Sequence, residues 1–139
     1  MELQGTHKFD ADPKVIWHAL FDPKALITCV PGAKRINGSI RDGFTAEVET
    51  HFGPMTIAFQ GEISVVDMTP FQSVSLKGKS RGLADIMLEK RDGKTLLSYH
   101  VSVTVGGRFG RLGEGVVTSF AKSMVDTFFA ELEQVVVNA

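Results

Sequence analysis

From Ala33 to Val105 apolar side chains recur at every second position, and from about Gly107 to Val137 they recur at every third or fourth. This change of period divides the chain into a β-rich body and a closing helix. Phe44, Ala46 and Val48 alternate with Thr45, Glu47 and Glu49. Met55, Ile57, Phe59, Ile63 and Val65 alternate with Thr56, Gln60, Glu62 and Ser64, and Leu97, Tyr99, Val101, Val103 and Val105 alternate with Ser98, His100, Ser102 and Thr104. Each pattern predicts a strand with one dry face and one wet face. Strands are expected at Glu2 to Asp10, Lys34 to Ile40, Phe44 to Phe52, Met55 to Asp67, Val74 to Lys79, Leu83 to Arg91 and Thr95 to Val105. The separators Arg41-Asp42-Gly43, Gly53-Pro54, Thr69-Pro70, Arg81-Gly82 and Asp92-Gly93 are short and turn-like, which implies an antiparallel meander.

Two short helices interrupt this order after the first strand. Asp12-Pro13 supplies an N-cap and a first-turn proline for a helix through Phe21, and Asp22-Pro23 repeats the signal for a helix through Ile27, stopped by Val30-Pro31-Gly32. In the closing helix, Leu112, Val116, Val117, Phe120, Ala121, Met124, Val125, Phe128, Leu132 and Val135 cover more than half the circumference at about 100° per residue. A helix so broadly apolar needs a curved surface around it. The expected fold is therefore α+β: a seven-stranded curved antiparallel sheet wrapped around a long C-terminal helix.

Gly110 and Gly113 fall on the apolar arc of that expected helix. Each glycine costs a helix interior about 0.8–1.0 kcal/mol relative to alanine, so the pair signals an irregular first turn, close packing, or space left beside the helix. If space is left, the inward positions Phe44, Val48, Phe59, Leu76, Ile86, Tyr99, Val101 and Val103 would line it, with Gly110, Gly113, Val117, Phe120 and Met124 opposite. Arg108 and Arg111 would stand at its mouth. Tyr99 is the sole tyrosine, and an inward hydroxyl needs either a backbone partner or a ligand carbonyl.

Composition narrows the function classes. The 139 residues suit one domain. A formal net charge of -1 gives no general electrostatic reason to expect nucleic acid or an anionic membrane. The lone Cys29 excludes an internal disulfide. No signal peptide or spanning run is apparent, so the expected location is cytoplasmic, with no transmembrane anchor in these residues.

His7, His18, His51 and His100 lie in no metal-binding spacing and read as surface histidines. The serines form no nucleophile elbow. Gly106 to Gly113 superficially resembles a phosphate loop but has the wrong glycine spacing. Lys77, Lys79 and Arg81, with Lys90, Arg91 and Lys94, read as a solvated sheet edge. No cofactor is indicated.

Several stretches, taken in order, resemble a known family. They are Asp22-Pro23 followed by Cys29-Val30-Pro31-Gly32, Phe52-Gly53-Pro54-Met55 with Phe59-Gln60-Gly61, Gly93-Lys94-Thr95-Leu96 leading to Tyr99, Val105 to Gly113, and Phe128-Phe129. The chain is similar to the START-like (polyketide cyclase and lipid-transport) superfamily with its helix-grip fold, and more narrowly to the CoxG family, named for the G subunit of carbon monoxide dehydrogenase. The resemblance implies a hydrophobic cavity between sheet and final helix, lipid-like or quinone-like ligands, and a role alongside a molybdenum-containing carbon monoxide dehydrogenase or related hydroxylase. It also implies attachment to the membrane periphery through a partner. Longer members continue into a linker and an apolar anchor, whereas this sequence ends at Ala139.

Three functions remain open on the sequence. The favoured reading is a non-catalytic binding protein for an apolar small molecule, monomeric or homodimeric. The second is a cyclase- or dehydratase-like enzyme acting in the same cavity, which would require converging polar side chains. The third is an assembly factor with an exposed apolar patch.

Overall fold

The computed structural model describes residues 1–79, 82–104 and 111–138. Its elements in chain order are β1 (Glu2–Phe9), α1 (Pro13–Leu20), α2 (Pro23–Cys29), β2 (Ala33–Ser39), β3 (Gly43–Phe52), β4 (Met55–Thr69), β5 (Ser73–Gly78), β6 (Gly82–Arg91), β7 (Lys94–Val103) and α3 (Glu114–Val137). The strands form one seven-stranded antiparallel sheet in the order β1-β7-β6-β5-β4-β3-β2. The expected meander is present, and β1 closes it by pairing with β7.

Local chemistry accounts for the boundaries. The Asp12 and Asp22 carboxylates accept hydrogen bonds from the backbone N–H groups of Lys14 at 3.1 Å and Lys24 at 3.0 Å, with a proline in each first turn. The Lys14 N–H, assisted by the Lys90 ammonium, holds the Asp12 carboxyl below its ordinary pKa. Asp92 and Gly93 both take positive φ, 52° and 78°, as the tight β6–β7 hairpin requires.

The expected start of the long helix is corrected. α3 begins at Glu114, and Gly113 is its N-cap with φ 90° and ψ 148°, a conformation outside the helical region that glycine adopts freely. Gly113 therefore leaves no gap in a helical face. Gly110 and Arg108 lie outside the described residues, and Arg111 precedes the helix as an exposed side chain. Glu114 places a negative charge in the first turn, in keeping with the helix dipole.

The basic residues of β5 and β6 are likewise not a sheet edge. Both strands are internal, and the edges are β1 and β2. Lys79, Lys90 and Arg91 instead pair with Glu62, Asp12 and Glu89, while Arg81 lies outside the described residues.

The core is concentrated on one side of the molecule. Leu3, Phe9, Ile16, Trp17, Leu20, Cys29, Val74, Leu88, Leu97, Tyr99, Phe129, Leu132 and Val136 form one buried cluster joining β1, β5–β7, α1, α2 and the C-terminal half of α3. The helix packs chiefly on α2, α1 and β1. In its N-terminal half Ala121 and Val125 pack against the cluster and Val117 is buried, while Val116 is exposed.

Candidate functional site

An apolar pocket of about 220 Å³ opens between α3 and the sheet. Period-two alternation turns Ala84 and Ile86 of β6 and Tyr99 and Val101 of β7 toward it, and Met124, Val125, Phe128 and Phe129 of α3 face them. Val30 and Pro31, from the connection between α2 and β2, complete the lining. The volume lies below the roughly 300–1,000 Å³ usual for ligand sites, so a longer molecule would have to extend beyond this wall.

The sheet floor leaves room for such an extension. Gly61, Gly78 and Gly82 belong to the same inward face as Ile63, Leu76 and Ala84. A Cβ added at Gly61 would meet no atom within 4 Å, and one at Gly82 would meet only Val103 Cγ2 at 3.7 Å and the Ser102 carbonyl oxygen at 4.0 Å. Beyond them, Phe59 and Ile63 face inward yet are 36% and 40% exposed.

The pocket brings together four of the candidate residues, Ile86, Tyr99, Val101 and Met124. The others are placed around it. Phe44, Val48 and Val117 are buried, and Leu76 packs against the core cluster. Val103 is half-buried at the end of β7, and Phe120 packs edge-on to Phe52 with ring centroids 5.5 Å apart. Val30 and Pro31 read in the sequence as a helix stop and not as part of a binding wall. The inward glycines of β4–β6 were detectable, since alternation assigns them to the dry face, but no packing information accompanied them.

Polar chemistry is sparse at this wall. Among the described residues, no group of three or more His, Cys, Asp or Glu side chains could hold a metal ion. Cys29 is 1% exposed, and burial, with a smaller contribution from Glu131, pushes its thiol up to about 11.

His7 departs from the expected surface role. Its ring packs on Phe9 and Phe129 with centroids 4.6 and 5.7 Å away, and its Nε2 is 3.1 Å from Glu133 Oε2. It shares the inward face of β1 with Leu3, Gly5 and Phe9, and so joins that strand to α3. His51 and His100 remain on the outer face, beside Thr56 and Glu2.

Two further hollows of about 430 and 400 Å³ lie across β2–β4, and the smaller is lined in part by the candidate residues Val48 and Phe59. Arg35, Asn37, Glu47, Gln60 and Glu62 line the larger, whose mixed charges include the Lys79–Glu62 pair at 3.2 Å. In the smaller, Lys34 and Glu49 hydrogen-bond each other, which raises the pKa of the lysine and lowers that of the carboxylate.

Solved structures share this architecture. A conserved protein from Geobacillus kaustophilus matches with a TM-score of 0.87 at 21% identity, covering 99% of this chain and 96% of that one. A protein from Nitrosomonas europaea matches at TM-score 0.73 and 13% identity, with coverage of 99% and 95%. One from Thermus thermophilus matches at TM-score 0.72 and 12% identity, with coverage of 99% and 98%. The shared arrangement is the helix-grip fold. No curated protein matches the chain. The family model for the G subunit of carbon monoxide dehydrogenase (CoxG) matches residues 5–137, from within β1 to the end of α3. The chain accordingly belongs to the CoxG family.

Proposed function

We propose that this protein is a non-catalytic binding protein that takes an apolar lipid-like or quinone-like molecule between β6–β7 and α3. The observation that carries the reading is the apolar lining of the pocket beside α3. An apolar wall favours transfer of an apolar molecule from water, by about 25 cal/mol per Å² of surface removed. It supplies no acid–base pair for chemistry on that molecule. The bare floor at Gly61 and Gly82 supports an elongated ligand.

The partner suggested by the family is a carbon monoxide dehydrogenase or a related molybdenum hydroxylase. The protein would serve it by recruitment, assembly or delivery of an electron acceptor. Among the described residues, no helix is long and apolar enough to cross a membrane. Any attachment of these residues to a membrane by a helix would therefore be peripheral.

Native mass spectrometry of the purified protein, followed by solvent extraction, tests the reading. The expected result is an adduct that releases a quinone or lipid, or uptake of one on addition. A bare protein that also takes up neither class would refute it. The same spectra report whether the chain is a monomer or homodimer.

A further inference from the structure

The part of the pocket wall formed by Val30 and Pro31 comes from the connection between α2 and β2, whereas the rest comes from β6, β7 and α3. The sequence of this connection fixes its shape. Val30 to Ala33 is a β-turn closed by a 3.1 Å hydrogen bond from the Ala33 N–H to the Val30 carbonyl oxygen. Pro31 occupies the second position and Gly32 the third, with φ 79°, as a type II turn requires. The proline ring sets its own φ, so the turn has little freedom to change shape.

The turn is also held from both ends. The Val30 N–H donates to the Leu26 carbonyl oxygen at 2.9 Å, which ties it to α2, and the buried Cys29 precedes it. At the other end, the Glu49 N–H of β3 donates to the Gly32 carbonyl oxygen at 2.9 Å, and Ala33 pairs with Val48. A Cβ on residue 32 would collide with the Glu49 carbonyl oxygen and lie 2.9 Å from Thr50 Cβ. Glycine therefore lets the turn sit directly on β3.

We infer that Val30 is a specificity-determining residue that limits the breadth of the ligand, and that Gly32 is the positioning residue that holds it in place. The inference rests on the binding function proposed above and narrows its ligand to an apolar molecule of slim cross-section. On the other two sides of the pocket, Tyr99 of β7 and Phe129 of α3 belong to the buried cluster, so sheet and helix are anchored in the core. A loose connection on the third side would give way to a broad ligand. This one is hydrogen-bonded to both α2 and β3, and it stands its ground. With an apolar lining, the pocket selects by shape: an extended chain passes beside Val30 and Pro31, whereas a globular molecule of equal carbon content meets them.

The test is a calorimetric titration with decanol, a slim probe, and adamantanemethanol, a globular alcohol of similar carbon number. The wild-type protein should prefer decanol by about 10-fold or more, the discrimination an apolar pocket achieves over small differences in hydrocarbon bulk. Val30→Ala should admit the globular probe and reduce the preference to about 3-fold or less, with decanol affinity little changed. Gly32→Ala should displace the turn and also lower the ratio. Thermal melts establish that each variant is folded during titration, and a ratio of affinities in folded protein does not respond to stability alone. Equal wild-type affinity for the two probes, or the wild-type ratio retained in Val30→Ala, would overturn the role of Val30 while leaving an apolar binding pocket intact. The same ratio retained in folded Gly32→Ala would overturn the positioning role of Gly32. Failure of the wild-type protein to bind either probe would defeat the binding function and this inference together.

Discussion

On the β1–β7 side of the molecule, Phe9, Leu97 and Leu132 are fully buried, whereas on β4 the equally inward Phe59 and Ile63 are 36% and 40% exposed. Both regions carry alternating apolar residues. They differ in what faces them. α3 contributes Phe129, Leu132 and Val136 of its C-terminal half to the buried core cluster, whereas in its N-terminal half Val117 is buried outside that cluster and Val116 is exposed. The same strand pattern therefore produces a packed core at one side and an accessible apolar surface at the other. The pocket lies where the two regimes meet.

The largest effects should come from the packed region. Leu132→Ala should lower stability by about 2–5 kcal/mol and Phe9→Ala by about 3–5 kcal/mol, measured by urea denaturation. Losses near zero would remove the distinction between the two regions. Phe59→Ala and Ile63→Ala should each cost about 1 kcal/mol or less, because part of each side chain already meets water. A core-sized loss at either position would show that the β4 surface is covered in solution.

Cys29 offers a finer probe of the packed region. The buried site accepts the neutral thiol, so the unfolded chain releases this proton from about pH 9 while the folded chain holds it to about 11. The associated stability is whole below pH 9 and is lost as pH rises through 11. Cys29→Ala should flatten that decline in a pH series of thermal melts. In the folded wild-type protein, a thiol reagent at about pH 8 should react only at the rate of opening. Prompt reaction would show that the α2 end of the core is loose.

Much of the architecture was legible locally. The strand ends follow from alternation and turn residues, and Asp12-Pro13 and Asp22-Pro23 place the starts of α1 and α2. The start of α3 was less legible, because a helical pattern of apolar residues continues upstream of Gly113 while the backbone at Gly113 itself is non-helical. His7 could have been assigned inward from its parity with Leu3 and Phe9. Its contacts with Phe129 and Glu133 could not, since they join segments at opposite ends of the chain.

The sequence by itself determined the period of each element, the dry face of each strand and the caps of the short helices, because these arise from interactions among near neighbours. Tertiary structure decided which dry surface is covered, and by what. Alternation directs Leu97 and Phe59 to the same side of the sheet; the path of α3 buries the first and leaves the second accessible. That path is set by packing against β1, α1 and α2, contacts between segments far apart in the chain, and it places the pocket beside Tyr99.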